Sequence, residues 1–192
     1  IGGMITSVNR QLNGDSSLFF LHRAAYTGGL DFKQQFKDRK YALDVSVFFS
    51  QVEGEEEALI RTQRMSSRYF QRPDASHVKL DSTRTKLSGS GGKVVFSKQA
   101  EGHLNYMAAL LWNSPGLEVN DMGYLPATDD ITQIFWAGYR IWEPFGIIDT
   151  FNMNINQWSS WDFSGTRTNT GGNTNMHFTF KNLWNFSYGR NF

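Results

Sequence analysis

Residues 151 to 156 alternate strictly between apolar and polar side chains, and this alternation constrains the fold more than any other feature. The segment reads Phe-Asn-Met-Asn-Ile-Asn. Only a β-strand separates the two sets, because its successive side chains point to opposite faces. Similar patterns recur along the chain. They predict eight strands, at about 1–11, 26–37, 40–52, 90–99, 103–113, 130–142, 147–160 and 174–191.

The connections between these strands alternate in length. Short turns are predicted at 38–39, 100–102 and 143–146, and long loops at 12–25, 53–89, 114–129 and 161–173. In an up-and-down meander every second connection lies at the same end, so all short turns share one end and all long loops the other. This asymmetry is typical of outer-membrane barrels. We therefore predict an all-β fold, a transmembrane antiparallel up-and-down β-barrel, in which residues 1–192 form one barrel domain or a fragment of a larger barrel.

A soluble β-sandwich or lipocalin-like barrel also alternates, but it would turn its apolar face inward. Two features favour the membrane: the predicted apolar faces carry few charges, and the strands exceed the usual length of about five or six residues. Tryptophans near the strand ends also fit an interfacial girdle. They are Trp136, Trp142, Trp158, Trp161 and Trp184.

Composition excludes several other classes. Aromatic residues make up 15 % of the chain although the mean hydropathy is −0.45, which suits a lipid-facing outside around a wet inside. The net charge of +1 gives no indication of a nucleic-acid partner. The longest apolar runs, such as Met107 to Trp112, are far too short for a membrane-spanning helix. The absence of cysteine removes disulfides and thiolate metal sites. Because the chain begins at Ile1, we expect a processed product or a piece of a longer protein.

Residues 55 to 69 are the one helix candidate. Three glutamates begin it and arginines end it, an order that complements the helix dipole. A stripe of arginines could bind an anionic headgroup or a glycan. A solvated loop helix, or a plug with internal ion pairs, explains the same pattern, and the segment that follows could simply anchor the loop. The ligand-binding candidates are Arg61, Arg64, Arg68, Arg72 and Asp74.

The predicted loop 114–129 is rich in acidic residues. Glu118 and Asp121 are the candidate catalytic pair, because glycoside hydrolysis needs one carboxylic acid and a second carboxylate as base or nucleophile. With Asn120 they are also candidate oxygen ligands for a hard cation such as calcium. A turn motif explains the same residues without a ligand. No zinc site and no cofactor are predicted, since the histidines lie on separate elements: His22, His77, His103 and His177.

Several stretches resemble a known family. They are GGMITSVNR at 2–10, GGLD at 28–31, RPD at 72–74, SPGLEVNDMGY at 114–124 and FKN at 180–182. They resemble an uncharacterised outer-membrane barrel domain that follows a family-nine-type carbohydrate-binding module in Gram-negative surface proteins. The resemblance implies a barrel of more than eight strands, preceded by a periplasmic module. It supplies no reaction and no catalytic residues.

These features together predict a scaffold or partner-binding barrel in the bacterial outer membrane, as part of a cell-envelope assembly with glycan handling as one candidate context. The expected partners are outer-membrane lipid and other envelope proteins, with no nucleic acid. Two alternatives stay open: a channel for small polar solutes, and a glycan hydrolase that uses the loop carboxylates.

Overall fold

The computed structural model describes all 192 residues and contains one antiparallel sheet. Each strand pairs with its neighbours in the sequence, so the predicted all-β, up-and-down order is confirmed. One short α-helix, α1 (Glu56–Arg64), follows the third strand, as predicted, but it ends five residues before the predicted end at 69, so Arg68 lies outside it. The strands are β1 (Gly2–Asn9), β2 (Ala24–Phe36), β3 (Tyr41–Glu53), β4 (Lys86–Lys98), β5 (Leu104–Asn113), β6 (Asp130–Ile141), β7 (Ile148–Trp161), β8 (Arg167–Phe180) and β9 (Asn185–Asn191).

The sheet has nine strands, one more than the sequence predicts. The segment 174–191, predicted as one strand, contains the second half of β8 and all of β9. A four-residue turn at 181–184 separates them. Five residues lie between the paired Thr179 and Asn185. Because this number is odd, even-numbered apolar residues stay on one face in both strands, and the alternation conceals the hairpin. The predicted long loop 161–173 is correspondingly wrong, since β8 begins at Arg167.

The two faces of the sheet have different surroundings. On one face Val52 lies opposite Ala25 and Leu87, and all three are buried against the segment that contains α1. We call this the covered face and the other the apolar face. Among the exposed large hydrophobic side chains of the strands, only Met4 is on the covered face. On the apolar face are Ile5, Tyr26, Leu30, Phe32, Phe36, Phe49, Val94, Leu104, Leu110, Phe135, Tyr139, Ile155, Phe186 and Tyr188.

Aromatic rings form rows on the apolar face near the short turns. The Tyr41 ring stacks on Phe36 at a centroid distance of 5.7 Å and on Phe96 at 5.9 Å. A second row crosses the last three strands, where the ring of Phe178 lies 4.8 Å from Phe151 and 6.1 Å from Phe186. Charged residues on this face lie at strand ends, including Glu53, Lys86, Lys98 and Arg190.

The covered face is more polar. Asparagines of β7 and β8 bond across it, with Asn156 Nδ2 donating to Asn173 Oδ1 at 2.7 Å. On β3 and β4, Lys93 and Asp44 form an ion pair at 3.3 Å. Two of the five predicted girdle tryptophans, Trp136 and Trp158, lie on this face rather than on the apolar one.

The sheet is not closed. β1 pairs only with β2, and β9 pairs only with β8. The outer edges of both strands therefore have backbone groups without a strand partner in the structure.

Candidate functional site at the long-loop end

Three long connections and one tight turn meet at one end of the sheet. They are the β1–β2 loop (10–23), the β3–β4 loop (54–85), the β5–β6 loop (114–129) and the β7–β8 turn (162–166). The β3–β4 loop folds back over the covered face, where its apolar side chains meet those of the strands. The buried cluster comprises Ala25, Val52, Ala58, Leu59, Phe70, Ala75, Val78 and Leu87. Burying a Leu, Val or Phe side chain stabilises by about 1.5–3 kcal/mol, so this cluster holds the loop on the sheet.

Arg68 and Glu118 form an ion pair between the β3–β4 and β5–β6 loops. Arg68 Nη1 lies 2.7 Å from Glu118 Oε2, and neither side chain has any exposed surface. The same guanidinium donates to the carbonyls of Thr62 and Leu117, at 3.0 and 2.5 Å. Removing either member would leave the other as an uncompensated buried charge, so the burial of each side chain requires the presence of the other.

Asp121 joins the β5–β6 loop to the β1–β2 loop. Its carboxylate lies 2.7 Å from Arg10 Nη2 and 2.5 Å from His22 Nδ1. On the other side of the ring, His22 Nε2 is 2.6 Å from Thr62 Oγ1 in α1. Burial raises the pKa of Asp121 and is the largest single influence, but hydrogen bonds and charges from His22 and Arg10 together bring that pKa below its ordinary value.

The row of Thr62, His22 and Asp121 has the order of a hydroxyl–imidazole–carboxylate triad but not its chemistry. Thr62 Oγ1 donates its single proton to the Ala58 carbonyl at 2.9 Å, so this proton is not directed at the imidazole of His22. Thr62 is also only 1 % exposed. A nucleophile must pass its proton to the imidazole and reach a substrate. The arrangement therefore joins three loops rather than activating a hydroxyl.

A cavity of about 210 Å³ opens beside this row. Arg61 lies over the Phe20 ring at its wall, with Cζ 5.0 Å from the ring centroid. The remaining lining residues are Leu21, His22, Thr62, Met65, Glu118, Asn120 and Asp121.

Asp129 is the centre of a third contact, in which three connections meet. The Asp129 side chain is only 1 % exposed. Its carboxylate accepts hydrogen bonds from Arg72 and from His77 Nε2, and the His77 nitrogen is 2.8 Å from each carboxylate oxygen. The backbone N–H of Phe163 in the β7–β8 turn donates to it at 3.0 Å. Asp162 lies beside the group, and hydrogen bonding by the Ser164 hydroxyl is the main cause of its lowered pKa.

The structure places the predicted site residues in different environments. Both carboxylates of the candidate catalytic pair contact basic side chains: Glu118 pairs with Arg68, and Asp121 pairs with Arg10 and His22. Of the candidate cation ligands, Asn120 uses its side-chain oxygen to accept from the Leu125 N–H at 2.8 Å, and its own N–H donates to Glu118. Of the ligand-binding candidates, Arg68 and Arg72 are in ion pairs, while three are exposed: Arg61, Arg64 and Asp74.

Several residues at this end have no distinguishing sequence signal. Arg10, His22, His77 and Asp162 meet their partners across long separations, 99 residues between His22 and Asp121 and 52 between His77 and Asp129. No local spacing encodes such contacts. The paired charges neutralise one another, so the arrangement makes a fixed loop surface with a cavity beside Asp121.

The protein has no helix with the length and apolar character needed to cross a membrane. A family model matches residues 20–192, and its description reads "Domain of unknown function (DUF5916)". The chain belongs to this family. The match is consistent with the resemblance to an uncharacterised domain family, and the DUF5916 description assigns no reaction. No curated protein matches the chain.

Proposed function

We propose that this DUF5916 chain forms part of a transmembrane β-barrel in the bacterial outer membrane and acts there as a scaffold whose loop end binds other envelope proteins. The observation that carries the proposal is the segregation of exposed hydrophobic side chains. Among the large exposed hydrophobic residues within the strands, all except Met4 lie on the apolar face. Exposed contiguous apolar surface of this kind needs lipid or protein to cover it.

Three features favour lipid over a second sheet as the cover. Charged side chains of the apolar face lie at strand ends, and its aromatic rows lie near the short turns, as a membrane interface requires. Most strands have 10 to 14 residues, enough to span a bilayer when tilted. The polar covered face would then line the interior.

The unpaired edges of β1 and β9 support closure by further strands. An open edge in hydrocarbon leaves backbone groups unsatisfied at several kcal/mol each. In a bilayer these edges would pair with additional strands, making the barrel larger than nine strands. This size agrees with the barrel that the sequence resemblance implies, in which a carbohydrate-binding module precedes the barrel and provides the link to glycan handling.

The loop end supports a scaffold role more than a channel or a hydrolase. The β3–β4 loop lies over the covered face and would narrow a lumen. The paired charges Arg68–Glu118 and Arg72–Asp129 fix the loops, which favours a rigid binding surface. A hydrolase needs accessible carboxylates, and Glu118 has no exposed surface.

Spin labelling of the full-length protein in liposomes tests the membrane assignment. Residues 1–192 contain no cysteine, so an introduced cysteine is the sole labelling site within this chain. We expect labels at Val45 and Val47, on the apolar face, to relax with dissolved oxygen but not with a water-soluble nickel chelate. Labels at Asp44 and Ser46, on the covered face, serve as matched controls and should show a lower ratio of oxygen to nickel accessibility. Protection of Val45 and Val47 from both reagents would indicate a second protein layer and refute the membrane assignment.

Cross-linking in cells tests the scaffold role. Tyr124, in the β5–β6 loop, is 84 % exposed, and Trp142, at a short turn, is 65 % exposed. A photo-reactive residue at position 124 should give a discrete adduct with an envelope protein that also copurifies in mild detergent, whereas position 142 serves as the control at the opposite end. A monodisperse barrel with no adduct at position 124 would argue against a partner-binding role. Discrete conductance steps in planar bilayers would support the channel instead.

A further inference from the structure

His77, Asp129 and Asp162 converge from three separate connections. Their metal-ligating atoms, one from each residue, all lie within 4.8 Å of one another. His77 Nε2 sits symmetrically before Asp129, 2.8 Å from both carboxylate oxygens. None of these residues takes part in the buried pair at Glu118 or the contacts around Asp121.

We propose that these three side chains bind a divalent transition-metal ion of the zinc type, with water completing the coordination. An imidazole nitrogen with carboxylate oxygens suits zinc and related ions, whereas calcium and magnesium prefer oxygen ligands alone. Three protein ligands with one position open to solvent is a familiar zinc arrangement. His77 has 17 % of its side chain exposed, which gives an ion a way in.

The distances allow an ion after small side-chain movements. Zinc bonds of about 2.0–2.2 Å place tetrahedral ligand atoms about 3.4 Å apart. His77 Nε2 and Asp129 are already closer than this, so the ion would replace the shared proton and separate them slightly. The Asp162 carboxylate lies within 4.8 Å of the other two ligand atoms, a separation that a small side-chain movement can close.

Hydrogen bonds from surrounding residues orient both carboxylates, as outer groups do in metal sites. The Phe163 N–H and the Arg72 guanidinium hold Asp129. Asp162 accepts all three of its hydrogen bonds on Oδ1, from the Ser164 N–H, the Ser164 hydroxyl and the Thr166 N–H. Its other oxygen, Oδ2, is therefore free for a ligand bond.

Arg72 provides a test that distinguishes a metal site from a purely structural contact. Its positive charge lies on the same carboxylate that would bind the ion, so it opposes the ion electrostatically. Removing that charge should strengthen metal binding, whereas a purely structural Arg72–Asp129–His77 contact gives no reason for such a gain.

Cobalt titration of the full-length protein in detergent, followed by visible absorption and by competition with zinc, tests the site. The wild type should bind one Co²⁺ saturably, and zinc should displace it. Asp162→Asn preserves Oδ1 for the turn but removes the charge, and it should weaken binding at least tenfold. Asp81→Asn is the matched control. Asp81 Oδ1 likewise accepts from the N–H and hydroxyl of Thr83, at 3.0 and 2.8 Å, without a metal cluster. This control should bind as the wild type does.

Arg72→Gln should tighten cobalt binding severalfold, and His77→Gln should weaken it at least tenfold. Three results would overturn the proposal: no saturable cobalt binding by the wild type, equal losses in Asp162→Asn and Asp81→Asn, or unchanged binding in His77→Gln. Because the wild-type titration is decisive by itself, a variant that fails to fold does not rescue the proposal.

Discussion

Replacing Arg68 by methionine removes the positive charge from an ion pair whose two side chains are both fully buried. Methionine keeps most of the length of the side chain, so the main loss is electrostatic. Glu118 would keep a buried carboxylate without its counter-ion, and two carbonyls, of Thr62 and Leu117, would lose a donor. Breaking a buried pair in this way costs about 3–5 kcal/mol. Since about 1.4 kcal/mol is a factor of ten, docking of the two loops should weaken by about two to four orders of magnitude.

Hydrogen exchange followed by mass spectrometry measures this change locally in the full-length protein. Peptides that cover α1 and the β5–β6 loop should exchange faster in Arg68→Met by about the same two to four orders of magnitude, up to the limit set by the loops' own stability. Peptides from β7 and β8 should be unchanged. Arg64→Met is the matched control, because Arg64, the last residue of α1, is exposed and forms no ion pair.

The double variant Arg68→Met/Glu118→Leu separates the cost of a stranded charge from the value of the pair. Replacing both members by apolar side chains is often close to neutral, so the double variant should exchange more slowly than Arg68→Met alone. The reasoning is refuted if Arg68→Met changes exchange of α1 no more than Arg64→Met does, or if the double variant is the least protected of the three.

Three further outcomes follow from the structure. Gly89→Ala should weaken docking of the β5–β6 loop by about 1–3 kcal/mol, because a Cβ at position 89 would lie 2.1 Å from the backbone nitrogen of Leu117 in that loop. Gly28→Ala is the control: the atom nearest to its Cβ would be 3.7 Å away, so this variant should unfold thermally like the wild type. The pKa of Asp121 lies below its ordinary value of 3.8, so the ionised carboxylate stabilises the loop fully above pH 3.8, and this stabilisation is lost as the pH falls through the lower folded-state pKa. Hydrogen exchange of the β1–β2 loop should therefore become faster at acid pH in the wild type, and Asp121→Asn should abolish this pH dependence. In denaturant titrations of the lipid-reconstituted protein, Val47→Arg should cost about 2–4 kcal/mol, whereas Ser46→Arg, on the covered face, should cost less, and equal costs would contradict the face assignment.

The alternation of side chains predicts most of the fold. The strands from β2 to β7 lie where the sequence places them, to within a few residues at their ends. The largest error is the hairpin between β8 and β9, which the alternation conceals because its turn keeps the same parity. Alternation records which face a residue is on, and it carries no information about where a strand reverses. The turn is instead marked by Asn182, whose side-chain oxygen accepts from the Trp184 N–H at 3.2 Å, and by Leu183 with φ of 69°.

The candidate site is less visible in the sequence than the sheet. The acidic character of the β5–β6 loop and the arginines after α1 stand out, but not the pairs that they form. Arg68 with Glu118, and Asp121 with His22, meet only because the meander brings every second connection to the same end.

The sequence by itself determined the strand period, the polarity of the two faces and the separation of long loops from short turns, because each depends on neighbours a few positions apart. Only the tertiary structure decided which loop carboxylate meets which basic side chain, that Glu118 is enclosed, and that His77 and Asp129 lie beside Asp162. These contacts depend on how far each loop folds over the sheet, and that distance is set by burial of Leu59 and Phe70 against the covered face. A local pattern cannot encode the distance between loops that approach one another only after the sheet has formed.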